Sequence, residues 1–312
     1  MLPQEKALEL LLARLPVTHS HRKFLEGEHH RTAAGTRGEA RLQRRMAEFY
    51  LEEEFHLVWD IRLQIDVWKT QMDGLLLTQR GIVILESKNI SGSIHFDHQT
   101  GEFLRINSEE EKQVMEDPQF QLNKHIRFLK QWLRMKKINL PVTGLIVFTS
   151  KECRFISKPA NSPVCKTYQT HEYLLNALQK FPPVNTPVKL TKIKKLIRSN
   201  QIPYERSPMC RQYFIDVNDL KPGVYCHHCK THTMARQNRN WICLKCGRKD
   251  PRAHQLSIQE YFTFIDTQLT NEKFRAFCQL DSRHVATRLL AEQALNKIGE
   301  KKSCVYSLKR RE

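Results

Sequence analysis

The chain has 312 residues, 51 Lys and Arg against 33 Asp and Glu, and a formal charge of +18. At 40% hydrophobic it can bury a real core, which excludes wholesale disorder, and its length predicts about two or three domains. No apolar run approaches the roughly 18 residues of a spanning helix, and MLPQEKALELLLARLP carries Glu5, Lys6, Glu9 and Arg14 within its apolar stretch, so neither a membrane anchor nor a signal peptide is read.

Residues 1–35 carry His19, His21, His29 and His30 among several arginines and read as a basic, solvated arm, preferred over a histidine-rich metal site. A helix is expected from Thr36, with Leu42, Met46 and Phe49 at helical spacing and Glu39 in its first turn. FHLVWDIRLQI, DGLLLT, GIVILES and GSIHF then read as strands, and HQTGE as a second hairpin signal. Pro118 opens a helix whose apolar stripe is Leu122, Ile126, Leu129 and Leu133. VTGLIVFTS reads as a buried strand and THEYLLNALQKF as a helix, giving a mixed α/β domain over 36–180. FPPVNTPV marks a boundary. Residues 181–218 read as a Pro- and Lys-rich linker and helix, where Lys189, Lys192, Lys194, Lys195 and Arg198 form either a solvated face or a phosphate-contacting patch.

The most chemically pointed segment is QMDGLLLTQRGIVILESKN. If Gln79 and Arg80 form a two-residue turn, Asp73 lies opposite Glu86. If the turn is Arg80 and Gly81, Asp73 faces Lys88. Both registers put Asp73, Glu86 and Lys88 on one face of the sheet, whereas a three-residue loop would set Asp73 against Ser87 and scatter them. Two carboxylates on one face repel, and a hard divalent cation relieves that cost while leaving room for water and a phosphate oxygen. The chemistry expected is phosphodiester hydrolysis with Mg²⁺ or Mn²⁺, Lys88 acting as a point cation beside the attacking water. A surface salt-bridge triad is the competing reading.

TRGEARLQRRM, MDGLLLTQRGIVILESKNISG and DPQFQLNKHIRFLKQWL, in that order, resemble the nuclease-related domain (NERD) family, whose core is similar to the PD-(D/E)xK nucleases. The resemblance covers about residues 36–150. It implies a restriction-endonuclease-like mixed sheet flanked by helices, and it assigns Glu39, Asp73, Glu86, Lys88 and Gln121 to one catalytic site. Glu39, Asp73 and Glu86 are expected to gather the Mg²⁺ or Mn²⁺. Gln121, just after Pro118, would also meet free backbone donors suited to phosphate.

Cys226-x-x-Cys229, thirteen residues, then Cys243-x-x-Cys246 is zinc-ribbon spacing, and a closed S₄ site for a structural zinc is expected over 219–252. Trp241 either packs beneath the ribbon or stacks on a base. Cys153, Cys165, Cys210, Cys278 and Cys304 show no spacing pattern, which fits reduced thiols and a cytoplasmic protein. Residues 253–312 read as a helix capped by Asn271, a short turn, a second helix capped by Asp281 with Val285 and Leu289 inward, and a basic strand after Gly299. That order is similar to a winged helix-turn-helix, with Arg283, His284, Thr287 and Arg288 toward a groove and Lys301 and Lys302 near the backbone of bound DNA. Nucleic acid, DNA before RNA, is the expected partner. A non-catalytic nucleic-acid binder on a nuclease-like scaffold is the alternative.

Overall fold

The computed structural model describes the chain apart from residues 1, 98, 159–161, 184–186, 301–302 and 310–312. It divides into two units, residues 34–204 and residues 1–33 with 205–312. In chain order the elements begin with α1 (Gln4–Arg14), α2 (Arg22–Met46), β1 (Phe55–Ile65), β2 (Trp68–Thr78), β3 (Ile82–Lys88) and β4 (Gly92–Phe96). There follow β5 (Phe103–Ile106), β6 (Lys112–Met115), α3 (Pro118–Met135), β7 (Val142–Phe148), β8 (Cys153–Ser157), β9 (Val164–Lys166), α4 (Thr170–Gln179) and α5 (Leu190–Ser199). The rest are α6 (Met209–Gln212), β10 (Val224–Cys226), β11 (Thr231–Gln237), β12 (Asn240–Cys243), β13 (Lys249–Asp250), α7 (His254–Phe264), β14 (Leu269–Thr270), α8 (Asn271–Cys278), α9 (Arg283–Ala291), β15 (Leu295–Ile298) and β16 (Val305–Leu308).

The unit of residues 34–204 is built on a five-stranded sheet ordered β1-β2-β3-β7-β9, antiparallel through β3 and parallel beyond it. Its central strands are buried on both faces, so alternate residues feed separate cores. Leu75, Leu77, Ile82, Ile84, Ile146 and Phe148 pack with α3 and α5, while Leu76, Val83, Leu85, Leu145 and Val147 pack with Leu42 and Met46 of α2 and Leu174 and Leu178 of α4. A second sheet, β6-β5-β4-β8, extends the α3 side through Ile94, Phe96 and Phe103. The mixed sheet flanked by helices is the expected α/β class.

Four local expectations differ. The helix expected from Thr36 runs without interruption from Arg22, and the segment before it holds a packed helix, α1, rather than a solvated arm: Leu8, Leu10 and Leu11 are fully buried. No metal set among the described residues includes His19, His21, His29 or His30. Within 181–218, expected as linker and helix, α5 is not a free-standing helix but joins the first core through Leu190, Ile193 and Ile197. On α3 the buried face contains His125, Phe128 and Trp132, with Ile126 only half-buried.

The other unit joins α1 to the C-terminal third of the chain. Arg14 of α1, fully buried, donates to the Lys221 and Gly223 carbonyls and to Glu260 Oε2 at 2.7 Å, and it lies 3.9 Å from the centre of the Phe277 ring. From α7 onward the order is helix, strand, helix, helix, hairpin, with β14-β16-β15 as a three-stranded sheet. The caps are one residue from those expected on α8, where Thr270 accepts from the Lys273 N–H, and on α9, where Ser282 accepts from the Val285 N–H. Ala286, Leu289 and Leu290 face inward on α9, and Val285 is half-buried.

Candidate active site and metal cluster

The hairpin between β2 and β3 turns on Gln79 and Arg80. Thr78 N–H donates to the Gly81 carbonyl at 3.0 Å, and Gly74 pairs with Leu85 and Leu77 with Ile82. That is the register in which Asp73 comes next opposite Glu86. Asp73, Glu86 and Lys88 therefore share the sheet face that carries Ile82 and Ile84, the face covered by α3.

Helix α3 starts abruptly because Asp117 caps it, accepting from the Gln119 N–H at 2.8 Å, with Pro118 at the first position. One turn later Gln121 and His125, four residues apart, point at the strand end. His125 Nδ1 lies 2.6 Å from Glu86 Oε1, and Gln121 donates to Glu86 Oε2 at 3.3 Å. Gln121 accepts in turn from Lys88 Nζ at 2.5 Å, and Ser87 N–H donates to Asp73 Oδ2 at 2.8 Å. Glu86 is 1% exposed, so its carboxyl oxygens depend on these partners for their hydrogen bonds.

Glu39 reaches the same neighbourhood from α2. A side chain at Gly38 would bring a Cβ to 2.7 Å from Asn89 Cβ and Thr149 Oγ1, so only glycine lets α2 ride this close over the ends of β3 and β7. Asn89 donates to the Ala34 carbonyl, and Arg41 donates to Asn89 Oδ1 and the Thr149 carbonyl, which fixes the helix there. Sequence reasoning missed Gly38, Arg41, Asn89 and above all His125; the spacing of Gln121 and His125 on one helix face was the available signal.

The electrostatics are those of crowded acids. Burial, then repulsion from Glu86, raises the Asp73 carboxyl to about 7, against the Ser87 hydrogen bond and the Lys88 charge. Glu39 lies exposed, yet the protein around it displaces enough water to raise its carboxyl too, helped by Asp60 and Glu86 and opposed by Arg62. Asp60 sits within β1 at φ 51°, where its carboxylate accepts from Arg62 and Gln71. Because the folded pKa of Asp73 lies above its ordinary 3.8, this carboxyl holds its proton between about pH 4 and 7 only in the folded, metal-free protein. The stability that Asp73 contributes should be fully present below about pH 4 and be lost as pH rises through about 7, by at most roughly 4 kcal/mol. Denaturant midpoints measured across that window should slope in this way in the wild type and flatten in Asp73→Asn.

Glu39, Asp73 and Glu86 do not close into a tight ligand set: among the described residues, the four cysteines alone place three or more ligand atoms within 4.8 Å of one another. The donor chemistry still fits a hard cation, since Mg²⁺ commonly takes one or two protein carboxylates and keeps several waters, and buried Glu86 and half-buried Asp73 offer two such carboxylates.

The cysteine cluster is the sharper metal site. Cys226 and Cys246 sulfurs are 3.8 Å apart, as are Cys229 and Cys243, matching the edge of about 3.8 Å for a tetrahedron with metal–sulfur bonds near 2.3 Å. Each knuckle closes alike: Lys230 N–H donates to the Cys226 carbonyl and Gly247 N–H to the Cys243 carbonyl, both at 2.8 Å, with Lys230 and Gly247 in the left-handed region at φ 53° and 70°. Burial opposes ionisation of Cys243, yet Thr233 and the backbone N–H groups of Cys246 and Lys245 outweigh it and bring the thiol to about 6. His227 and His228 are exposed and outside the sulfur set. Trp241 is fully buried and donates to His254 Nδ1 at 3.1 Å, so it packs beneath the ribbon and cannot stack on a base.

Arg283, His284, Thr287 and Arg288 are all exposed on α9. The Thr287 hydroxyl is already engaged, donating to the Arg283 carbonyl and accepting from Asn271 Nδ2. Lys301 and Lys302 lie outside the described residues.

Residues 34–149 match the family model described as nuclease-related domain, NERD, and that segment spans the hairpin, α3 and the Gly38–Glu39 step of α2. Among curated proteins and among solved structures, nothing matches the chain. The segment is nuclease-related and the cysteine cluster is compatible with a zinc ribbon. No helix among the described residues is long and apolar enough to cross a membrane.

Proposed function

We propose that the protein is a Mg²⁺- or Mn²⁺-dependent nuclease acting on DNA, with a structural zinc ribbon and a winged-helix module that bind the substrate. The observation that carries the reading is the convergence of Glu86, Lys88 and Gln121, linked by hydrogen bonds, beside an Asp73 whose charge is resisted by burial and by the neighbouring Glu86.

Asp73 and Glu86 would hold the divalent ion, with Glu39 on the open side. The ion supplies charge neutralisation at the phosphate and a more acidic water. Gln121 fixes the Lys88 ammonium, so this cation is already aimed where negative charge develops and needs no reorganisation during the reaction. His125 touches Glu86 rather than substrate and is a positioning residue. The four cysteines hold zinc only as reduced thiolates, which supports the reading of a cytoplasmic protein.

One observation favours the alternative of a non-catalytic nucleic-acid binder: both Glu86 oxygens are already engaged, by His125 and Gln121. Incubating plasmid and linear DNA with purified protein and Mn²⁺ or Mg²⁺ decides between them, since the nuclease reading requires cleavage that the metal switches on.

The order helix, strand, helix, helix, hairpin with β14 paired to β16 supports the winged-helix assignment. Replacing Arg283 and Arg288 by alanine should weaken DNA binding and lower the slope of log affinity against log salt by about two, as each lost phosphate contact removes about one. Fluorescence anisotropy at several salt concentrations measures it.

A further inference from the structure

Resting on that reading, we propose that an open basic cleft of 1410 Å³, at the end of the main sheet opposite the carboxylates, is a second phosphate-binding site that holds the DNA strand some nucleotides away from the scissile bond. The cleft lies wholly within the unit of residues 34–204. Lys130, Arg134, Lys136 and Lys137 line it from α3 and its end, Lys189 and Lys192 face them from the start of α5, and Arg80 of the β2–β3 turn completes the rim. Ile138, Leu140, Ile193 and Leu196 form an apolar floor, and no acidic residue lines the cleft among the described residues.

The walls are held in place. Gln79 donates its amide to the Val188 carbonyl and accepts from the Val188 N–H, both at 2.9 Å, which ties the chain before α5 to the hairpin turn. Arg80 is paired with Glu53 at 2.9 Å and Lys136 donates to Asn200, but Lys130, Arg134, Lys137, Lys189 and Lys192 have no ion-pair partner among the described residues.

Cations at the end of α3 are ordinary, because they complement the helix dipole. Those on α5 are not. Lys189 is its N-cap and Lys192 lies in its first turn, where no acid is present and the helix end is itself positive. Like charges gathered at a helix N-terminus across from four more cations repel unless an anion enters, and the free N–H groups there suit a phosphate.

Two paths give the spacing to the candidate active site. Along α3, Lys130 and Arg134 lie nine and thirteen residues beyond Gln121, about 14–20 Å at 1.5 Å per residue. Along β3, Glu86 lies six residues beyond Arg80, about 20 Å. At one phosphate per 3.4 Å of duplex axis on each strand, that is about four to six nucleotides. The cleft thus fits the backbone of a strand whose scissile phosphate sits at Lys88.

Anisotropy of a labelled oligonucleotide longer than this span tests the assignment, using the full chain with Glu86→Gln and no added divalent metal so that cleavage plays no part. Lys130→Glu with Arg134→Glu, and separately Lys189→Glu with Lys192→Glu, should each weaken binding about tenfold and lower the salt slope by about two. Lys112→Glu with Lys151→Glu, the same charge change on exposed residues of the same unit outside the cleft, should shift binding by less than about twofold. If both cleft pairs behave like this control, the proposal is wrong. It is equally wrong if the cleft reversals abolish binding of inorganic tripolyphosphate while leaving the oligonucleotide unaffected, since the cleft would then serve a small polyphosphate. A wild type that binds through the cleft yet never cuts defeats the nuclease reading and leaves this one standing.

Discussion

Glu86→Ala should reduce Mn²⁺-supported DNA cleavage at least about a thousandfold, because it removes a carboxylate for the cation and strips His125 and Gln121 of the group they orient on. Lys88→Ala should cost about 10²–10³, the usual toll for deleting one preorganised electrostatic contact to a transition state. His125→Ala acts only through Glu86 and should cost less, about 10–100-fold, with much of the loss recovered at high Mn²⁺ because the defect is in holding the ion. Gel-based rates over a metal titration separate the three. Cleavage that is equal in wild type, Glu86→Ala and Lys88→Ala would mean a contaminating nuclease and would end the catalytic assignment.

Removing zinc should collapse the unit containing the ribbon while the unit of residues 34–204, with its own two-faced core, remains folded. Structural zinc contributes about 10–16 kcal/mol in zinc-finger peptides, beyond what the short strands β10–β13 gain from their own burial. Cys243→Ser should act similarly, taking away the sulfur whose thiolate is best supported. Atomic absorption should find one zinc per chain in the wild type. Trp241 is the only tryptophan in its unit and is fully buried against His254, so its emission should shift to the red when the metal is chelated. Retention of the buried Trp241 signal in a verified zinc-free protein would show that the ribbon does not depend on the ion.

Much of the architecture could be read from residue pattern because the deciding interactions are local. The Gln79–Arg80 turn fixes the register of β2 on β3, and with it the face shared by Asp73, Glu86 and Lys88. The two Cys-x-x-Cys pairs likewise define their cluster by spacing alone. What escaped depends on partners far away in the chain. Glycines at 27, 35 and 38 look like interruptions, yet α2 runs through all three; Gly38 is there for close approach to Asn89 and Thr149. The lysines of α5 mark a solvated face or a phosphate patch but not what lies behind it; Leu190, Ile193 and Ile197, repeating at three and four residues on its other side, carry the helix into the core. His125 gave no sign beyond its spacing from Gln121, since a histidine on an apolar helix face has many uses until its carboxylate partner is known.

The pairing of Arg14 with Glu260 spans 246 residues, and it sets a schedule for biosynthesis. At about 5–20 residues per second, a ribosome finishes the partner roughly 12–50 s after the first helix emerges. Throughout that interval Leu8, Leu10 and Leu11 are without their final neighbours, while every strand of the intervening unit can be made and paired. The inserted unit is thus placed to mature first, and the nascent amino-terminal helix needs shelter, from a chaperone or its own transient contacts, until the last third of the polypeptide arrives.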